Sequence, residues 1–125
     1  MKYTHTFVVL GLLLLTSCGS HDERLAKKMV GTWTTDHGSD EWLLSSDGSF
    51  DQKWSDKTHG LDYKGTWEVR DSFFIFTLTN KTATNFELTN MAPIGSVTRL
   101  HLVEVDSDHL KFEVGGDTNQ WERKP

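Results

Sequence analysis

Leu61-Asp62-Tyr63-Lys64-Gly65-Thr66-Trp67-Glu68-Val69 is the stretch that decides the fold. Leu61, Tyr63, Gly65, Trp67 and Val69 alternate with Asp62, Lys64, Thr66 and Glu68. A strand turns successive side chains to opposite faces, so this period of two predicts a strand with one face in a core and the other in water.

The same period runs outward in both directions. Upstream, Gly31 to Thr35, Glu41 to Ser45 and Ser49 to Ser55 read as strands, the last two joined at Asp47-Gly48. Asp-Gly accepts the positive backbone angles of a tight hairpin. Downstream, turn signals at Asp71-Ser72, Asp106-Ser107-Asp108 and Gly115-Gly116-Asp117 separate Phe73 to Thr79, Val97 to Val105, Leu110 to Val114 and Asn119 to Arg123. About eight strands linked mostly by short turns predict an antiparallel up-and-down meander, closed as a small barrel in preference to a folded-over sandwich. Residues 80–95 break the pattern and read as a long polar loop, or a loop plus an irregular edge segment around Phe86 to Leu88. One short helix, Asp22 to Val30, precedes the first strand. Ser20 or Asp22 is its candidate cap, and Leu25, Ala26, Met29 and Val30 are spaced to face a core.

The first residues have a different character. A positive start at Lys2, an apolar run from Phe7 to Leu15 and then Leu15-Thr16-Ser17-Cys18 follow the order of a secretory signal. The run is shorter than the roughly 20 residues that span a bilayer, so it reads as processed. Leu15-Thr16-Ser17-Cys18 resembles a lipobox, in which a cysteine is acylated and then exposed by cleavage. That resemblance implies a signal peptide over residues 1–17, a lipid on Cys18, a tether over 18–22 and a folded domain over 23–125. Cys18 is the only cysteine of the chain, and thioether formation would consume a thiol that has no internal partner. Two or more acyl chains hold a protein firmly at a membrane, whereas one binds reversibly. Gly19, in place of the Asp that retains lipoproteins in the inner membrane, implies transfer to the outer membrane, and Asp22-Glu23 is a faint form of a surface-export signal. The expected location is therefore the cell envelope, on its periplasmic face or at the cell surface.

The tripeptide Gly-Thr-Trp occurs twice, at Gly31 to Trp33 and Gly65 to Trp67, and reads as two strands with the same local packing problem. With the short helix before it, the Asp47-Gly48-Ser49-Phe50 hairpin between the repeats and a basic residue near the end, the chain resembles the short lipocalin-like domains of bacterial lipoproteins. The resemblance implies that Trp33 packs at the closed end of the barrel with Arg123 lying over it as a structural pair, a cation–π contact worth about 0.5–2 kcal/mol. The chain is shorter than a full lipocalin and lacks its disulfides and other signature segments, so a binding function is not inherited from the fold.

An eight-stranded barrel is filled by side chains or holds one small ligand. The inward phase supplies Trp42 or Leu43, Phe50, Trp54, Tyr63, Trp67, Phe74, Phe76, Leu78, Leu110, Phe112 and Trp121. Two readings follow. In one, a small apolar or amphipathic ligand meets Trp54, Tyr63, Phe74 and Phe76, with Arg99 and His101 orienting a carboxylate. In the other, the barrel is solid and its outer surface or the 80–95 loop meets an envelope protein. Arg99 and His101 share a phase with Val97 and Val103, but Leu100 and Leu102 argue for the opposite face; a bulge would reconcile both. Gln52, between Phe50 and Trp54, is a polar residue in an apolar phase.

Other classes find no footing in the sequence. A formal net charge of −5 without a basic run gives no electrostatic hold on nucleic acid. His21, His37, His59, His101 and His109 lack the spacing of a zinc site. No Gly-x-Ser-x-Gly or comparable nucleophile arrangement is present, so an enzyme is not expected, and no cofactor is expected beyond the lipid on Cys18. Asn80-Lys81-Thr82 matches a glycosylation sequon and reads as chance.

Overall fold

The computed structural model describes residues 21–35, 38–85 and 92–125. A helix, α1, covers residues 21–29. The strands follow as β1 (Gly31–Thr35), β2 (Asp40–Leu44), β3 (Ser49–Ser55), β4 (Gly60–Arg70), β5 (Phe73–Thr84), β6 (Val97–Val105), β7 (His109–Val114) and β8 (Asp117–Arg123). Each pairs antiparallel with its sequence neighbours, and β8 returns to β1, so the meander closes into an eight-stranded barrel. Closure removes the free edges that a sandwich would leave.

Residues 80–84, expected as loop, instead continue β5. They pair with 60–64 of β4, and a register shift between Lys64 and Gly65 carries the ladder past the bend. The bulge lets one long hairpin curve around the barrel and then flare beyond it. The segment around Phe86 to Leu88 lies outside the described residues, as do the signal, Cys18, Gly19 and Ser20.

The two Gly-Thr-Trp strands solve different problems, contrary to the sequence reading. Gly65 sits at that bulge, where an added Cβ would stand 1.9 Å from the Thr77 carbonyl oxygen and 2.6 Å from the Phe50 ring. Gly31 has φ of 137°, and its missing Cβ leaves room for the Arg123 guanidinium, whose Nη1 would be 2.4 Å away. The first glycine admits a side chain; the second admits a backbone.

α1 closes one end of the barrel. Met29 and Trp33 are fully buried there, and Leu25, Ala26 and Val30 pack against the same cluster. The Trp33 indole N–H donates to the Met29 carbonyl at 2.8 Å. Asp22 does not cap its own helix: its carboxylate accepts the N–H groups of Asp71 at 3.0 Å and Ser72 at 3.2 Å. Those two residues form the β4–β5 turn with φ of 54° and 66°, backbone angles that non-glycine residues adopt at a cost, so the carboxylate stabilises a strained turn while pinning the helix start.

The helix end is held by Arg123. Its Nη1 and Nη2 donate to the Val30 and Lys28 carbonyls at 3.0 and 2.5 Å, and Nε donates to the Ser107 carbonyl at 2.6 Å. Its Cζ lies 4.2 Å from the centre of the Trp33 ring. The last carbonyls of a helix lack internal partners and carry partial negative charge, so a cation there supplies both hydrogen bonds and charge complement.

These contacts set two tests. Arg123→Ala removes the cation–π contact and orphans two helix-end carbonyls, so it should cost on the order of 2–4 kcal/mol in chemical denaturation. Gly65→Ala should destabilise more than Gly31→Ala, because a backbone oxygen yields less readily than the far end of an arginine. The reverse ranking in urea melts would count against this account.

Candidate functional site

The middle of the barrel is filled. Trp42 stacks on Trp121 (centroids 4.7 Å apart) and on Phe50 (5.6 Å), and Phe76 meets its edge at 5.1 Å. Phe74 and Phe112 meet Trp121 edge-on at 6.0 and 5.2 Å. Such offset and edge-on pairs add about 0.5–1.5 kcal/mol each beyond area burial. Of the alternatives Trp42 and Leu43, Trp42 is the inward one at 4% exposed, and Leu43 is 44% exposed.

Above this stack, towards the end opposite α1, a cavity of about 180 Å³ remains. Its lining is apolar at Trp42, Phe50, Phe76, Leu78 and Ala92 and polar at Gln52, Tyr63, Ser96 and Thr98. Drug-sized pockets run from roughly 300 Å³ upward, whereas an apolar cavity of about 150 Å³ holds benzene. The space therefore fits one ring or a short chain.

The residues 92–96 cover the cavity where β5 and β6 part company. β6 pairs with β5 only as far as Thr77. Beyond it, Leu78 exchanges backbone hydrogen bonds with Ser96 and Gly95, and the Lys81 ammonium donates to the Ala92 carbonyl at 2.9 Å. The Ser96 hydroxyl bonds the Pro93 carbonyl.

Of the six residues assigned to a ligand by sequence, Tyr63 and Phe76 line this cavity. Phe74 does not: it is fully buried in the aromatic stack beneath. Trp54 does not line it either, and borders a separate surface recess of about 380 Å³ with Leu61 and Ala83.

Arg99 and His101 must be reassigned, because both face outward. Thr98, Leu100 and Leu102 take the inward phase of β6, and Val97 and Val103 are 59% and 50% exposed. A bulge between Leu102 and Glu104 then turns Val105 inward. On the outer face, Arg99 lies 5.0 Å from the Phe73 ring centre, and His101 Nδ1 is 3.5 Å from Glu113. Neither can orient a ligand carboxylate inside the barrel.

The sequence reading missed Asp40. It shares the inward phase of β2 with Trp42 and Leu44, and its carboxylate accepts the Trp42 indole N–H at 3.3 Å and the Gln52 amide N–H at 3.1 Å. Gln52 had already stood out as polar in an apolar phase; Asp40 is what satisfies it. Its position just before the first residue of the expected strand hid it.

Charged groups at the hairpins complete the picture. Asp47, Asp56 and Asp106 are held below the ordinary carboxylate value of 3.8 by hydrogen bonds. For Asp47 the Ser49 hydroxyl leads, with the Ser49 N–H behind it. For Asp56 the donors are the N–H groups of Thr58 and His59, and for Asp106 those of Asp108 and His109. On the outer face of β3 and β4, Asp62 is raised, first by burial and then by the neighbouring Asp51 carboxyl. Oδ1 of each is buried without a hydrogen-bond partner, so the ionised form of Asp62 is disfavoured there. Lys64 and Lys53 approach the other oxygen of Asp51 at 3.6 and 3.9 Å.

Among the described residues, no group of three or more His, Cys, Asp or Glu is arranged to hold a metal ion.

No protein-family model matches the chain, and no curated protein does. Two solved structures superpose on most of it. One is a lipocalin-like protein from Bacteroides uniformis ATCC 8492, with a TM-score of 0.60, 14% identity, and coverage of 78% of this chain and 99% of that one. The fold is lipocalin-like. The other is an uncharacterized protein from Bacteroides eggerthii DSM 20697, with a TM-score of 0.59, 15% identity, and coverage of 76% and 98%. At such identities the likeness carries the architecture and leaves the site to be argued from its own residues.

The carboxylates give opposite pH signatures. Asp47, Asp56 and Asp106 contribute stability that is complete above the unfolded value near 3.8 and is lost as pH falls through their lower folded values. Asp62 acts the other way, opposing folding at neutral pH and relieved as pH falls through its raised value. Asp62→Asn should therefore raise the Tm at pH 7, and the gain should shrink towards pH 4. A Tm lowered by Asp62→Asn at pH 7 contradicts the assignment.

Proposed function

We propose that the chain is a lipid-anchored lipoprotein of the cell envelope whose barrel mouth takes up a small apolar or amphipathic molecule. The observation that carries the binding part is the cavity of about 180 Å³ above the aromatic stack, lined by four large apolar side chains and Ala92 together with hydroxyl and amide groups. An apolar hollow with a few convergent polar groups is the usual form of a small-molecule site. The lipoprotein part rests on Leu15-Thr16-Ser17-Cys18, which lies outside the described residues.

The two parts are linked by α1. Asp22 ties the start of the helix to the β4–β5 turn at the closed end of the barrel. Cys18 is three residues before His21, so a lipid there would hold the closed end towards the membrane and leave the mouth facing away. Gly19 favours the outer membrane as the place of attachment.

The opposing reading, a solid barrel that works through its outer surface on an envelope protein, draws on the filled middle of the barrel. Mass spectrometry on a lipid extract of protein purified from native membranes separates the two. A bound small molecule that is lost in Thr98→Phe, a substitution that fills the cavity, supports uptake, and an empty barrel rejects it. Binding should fall at least about tenfold in Thr98→Phe while the Tm moves by only a few degrees. Separately, Cys18→Ala should release a folded, soluble domain, and membrane retention of that variant would overturn the anchor.

A further inference from the structure

We propose that the mouth cavity selects ligands whose polar end donates hydrogen bonds, such as an alcohol or phenol, and rejects carboxylates, with Asp40 as the residue that sets this preference. The inference rests on the reading of the cavity as a ligand site and names the chemistry of its occupant.

Three observations converge. First, none of the cavity-lining side chains among the described residues is a cation. The two cationic candidates of the sequence, Arg99 and His101, stand on the outside with Phe73 and Glu113. Lys81, inward by phase on β5, directs its ammonium to the Ala92 carbonyl at 2.9 Å. A carboxylate entering the cavity would lose water and meet no cation among the lining side chains, the Lys81 ammonium being engaged at the Ala92 carbonyl, which is unfavourable.

Second, Asp40 places a carboxylate directly behind two of those walls, accepting the Trp42 indole N–H and the Gln52 amide N–H. A fixed negative charge one side chain behind the lining opposes the entry of an anion.

Third, Asp40 fixes how Gln52 is turned. An amide oxygen set against a carboxylate would be repelled, so the nitrogen faces Asp40 at 3.1 Å and the carbonyl oxygen is left for the opposite side, where Gln52 lines the cavity. The walls thus present an acceptor in Gln52, with the hydroxyls of Tyr63 and Thr98 able to act either way. A ligand O–H or N–H is matched, and a carboxylate is met by an acceptor.

The volume selects the probes. Benzyl alcohol and benzoate each carry one ring, in keeping with about 180 Å³, and differ at the polar end. Binding of each to the purified domain is measured at pH 7 by titration calorimetry and by the change in tryptophan fluorescence. Benzyl alcohol should bind at least ten times more tightly than benzoate. Asp40→Asn, which keeps an acceptor oxygen but removes the charge, should cut that ratio to about threefold or less. Arg99→Ala should leave it unchanged.

Equal affinities in the unaltered domain, or tighter benzoate, overturn the proposal while leaving uptake by the cavity intact. A ratio that survives Asp40→Asn in a folded variant removes Asp40 from it. If neither probe binds saturably, the cavity is no single-ring site, and the reading it rests on fails with it.

Discussion

The guanidinium of Arg123 is where the barrel is fastened shut. The seam between β1 and β8 is short, with Trp33 opposite Arg123 and Thr34 opposite Glu122 as its ladder partners. Across that seam one side chain reaches the end of α1, the face of Trp33 and the β6–β7 turn. A closed sheet needs its first and last strands to meet, and loop-closure entropy opposes bringing together segments some ninety residues apart. A planar cation with several donors suits this place, because it satisfies the helix-end carbonyls and covers an aromatic ring at once. Gly31 is part of the same device, since any side chain there would occupy the space of the guanidinium.

Because the closed end is fixed this way, the opposite end can afford irregularity. The β4–β5 hairpin bulges at Gly65, flares, and loses β6 as a neighbour beyond Thr77. The gap is covered by residues 92–96 through a few hydrogen bonds rather than a ladder. The aromatic stack around Trp42 and Trp121 forms the floor, and the cavity is the space the flare leaves above it. Closed end, floor and mouth thus form a sequence in which each rests on the one before.

Much of this was legible in the chain. The strict alternation from Leu61 to Val69, the turn residues at Asp47-Gly48 and Asp71-Ser72, and the absence of any second helical period led to eight antiparallel strands. The inward aromatics followed from the same phase counting, with Phe50, Trp67, Phe74, Phe112 and Trp121 all buried. The site was read less well. For Arg99 and His101 the sequence offered two phases, one shared with Val97 and Val103 and one leaving Leu100 and Leu102 inward, and the pairing of β6 with its neighbours decides for the leucines, so the carboxylate-orienting role fails. Asp40 was passed over because an aspartate beside a turn looks like surface.

What the sequence by itself determined is periodic and local: strand phase, turn chemistry, the alternation of apolar and polar faces, and the Cys18 motif at the front. These depend on neighbours a few residues apart, so the chain states them directly. What the tertiary structure alone decided is the pairing of distant residues: Gly31 with Arg123, Gly65 with Thr77, Asp22 with the β4–β5 turn, and Asp40 with Gln52. The same tripeptide, Gly-Thr-Trp, therefore serves a guanidinium in one place and a bulge in the other. A glycine records that something comes close, and the approaching group belongs to another strand.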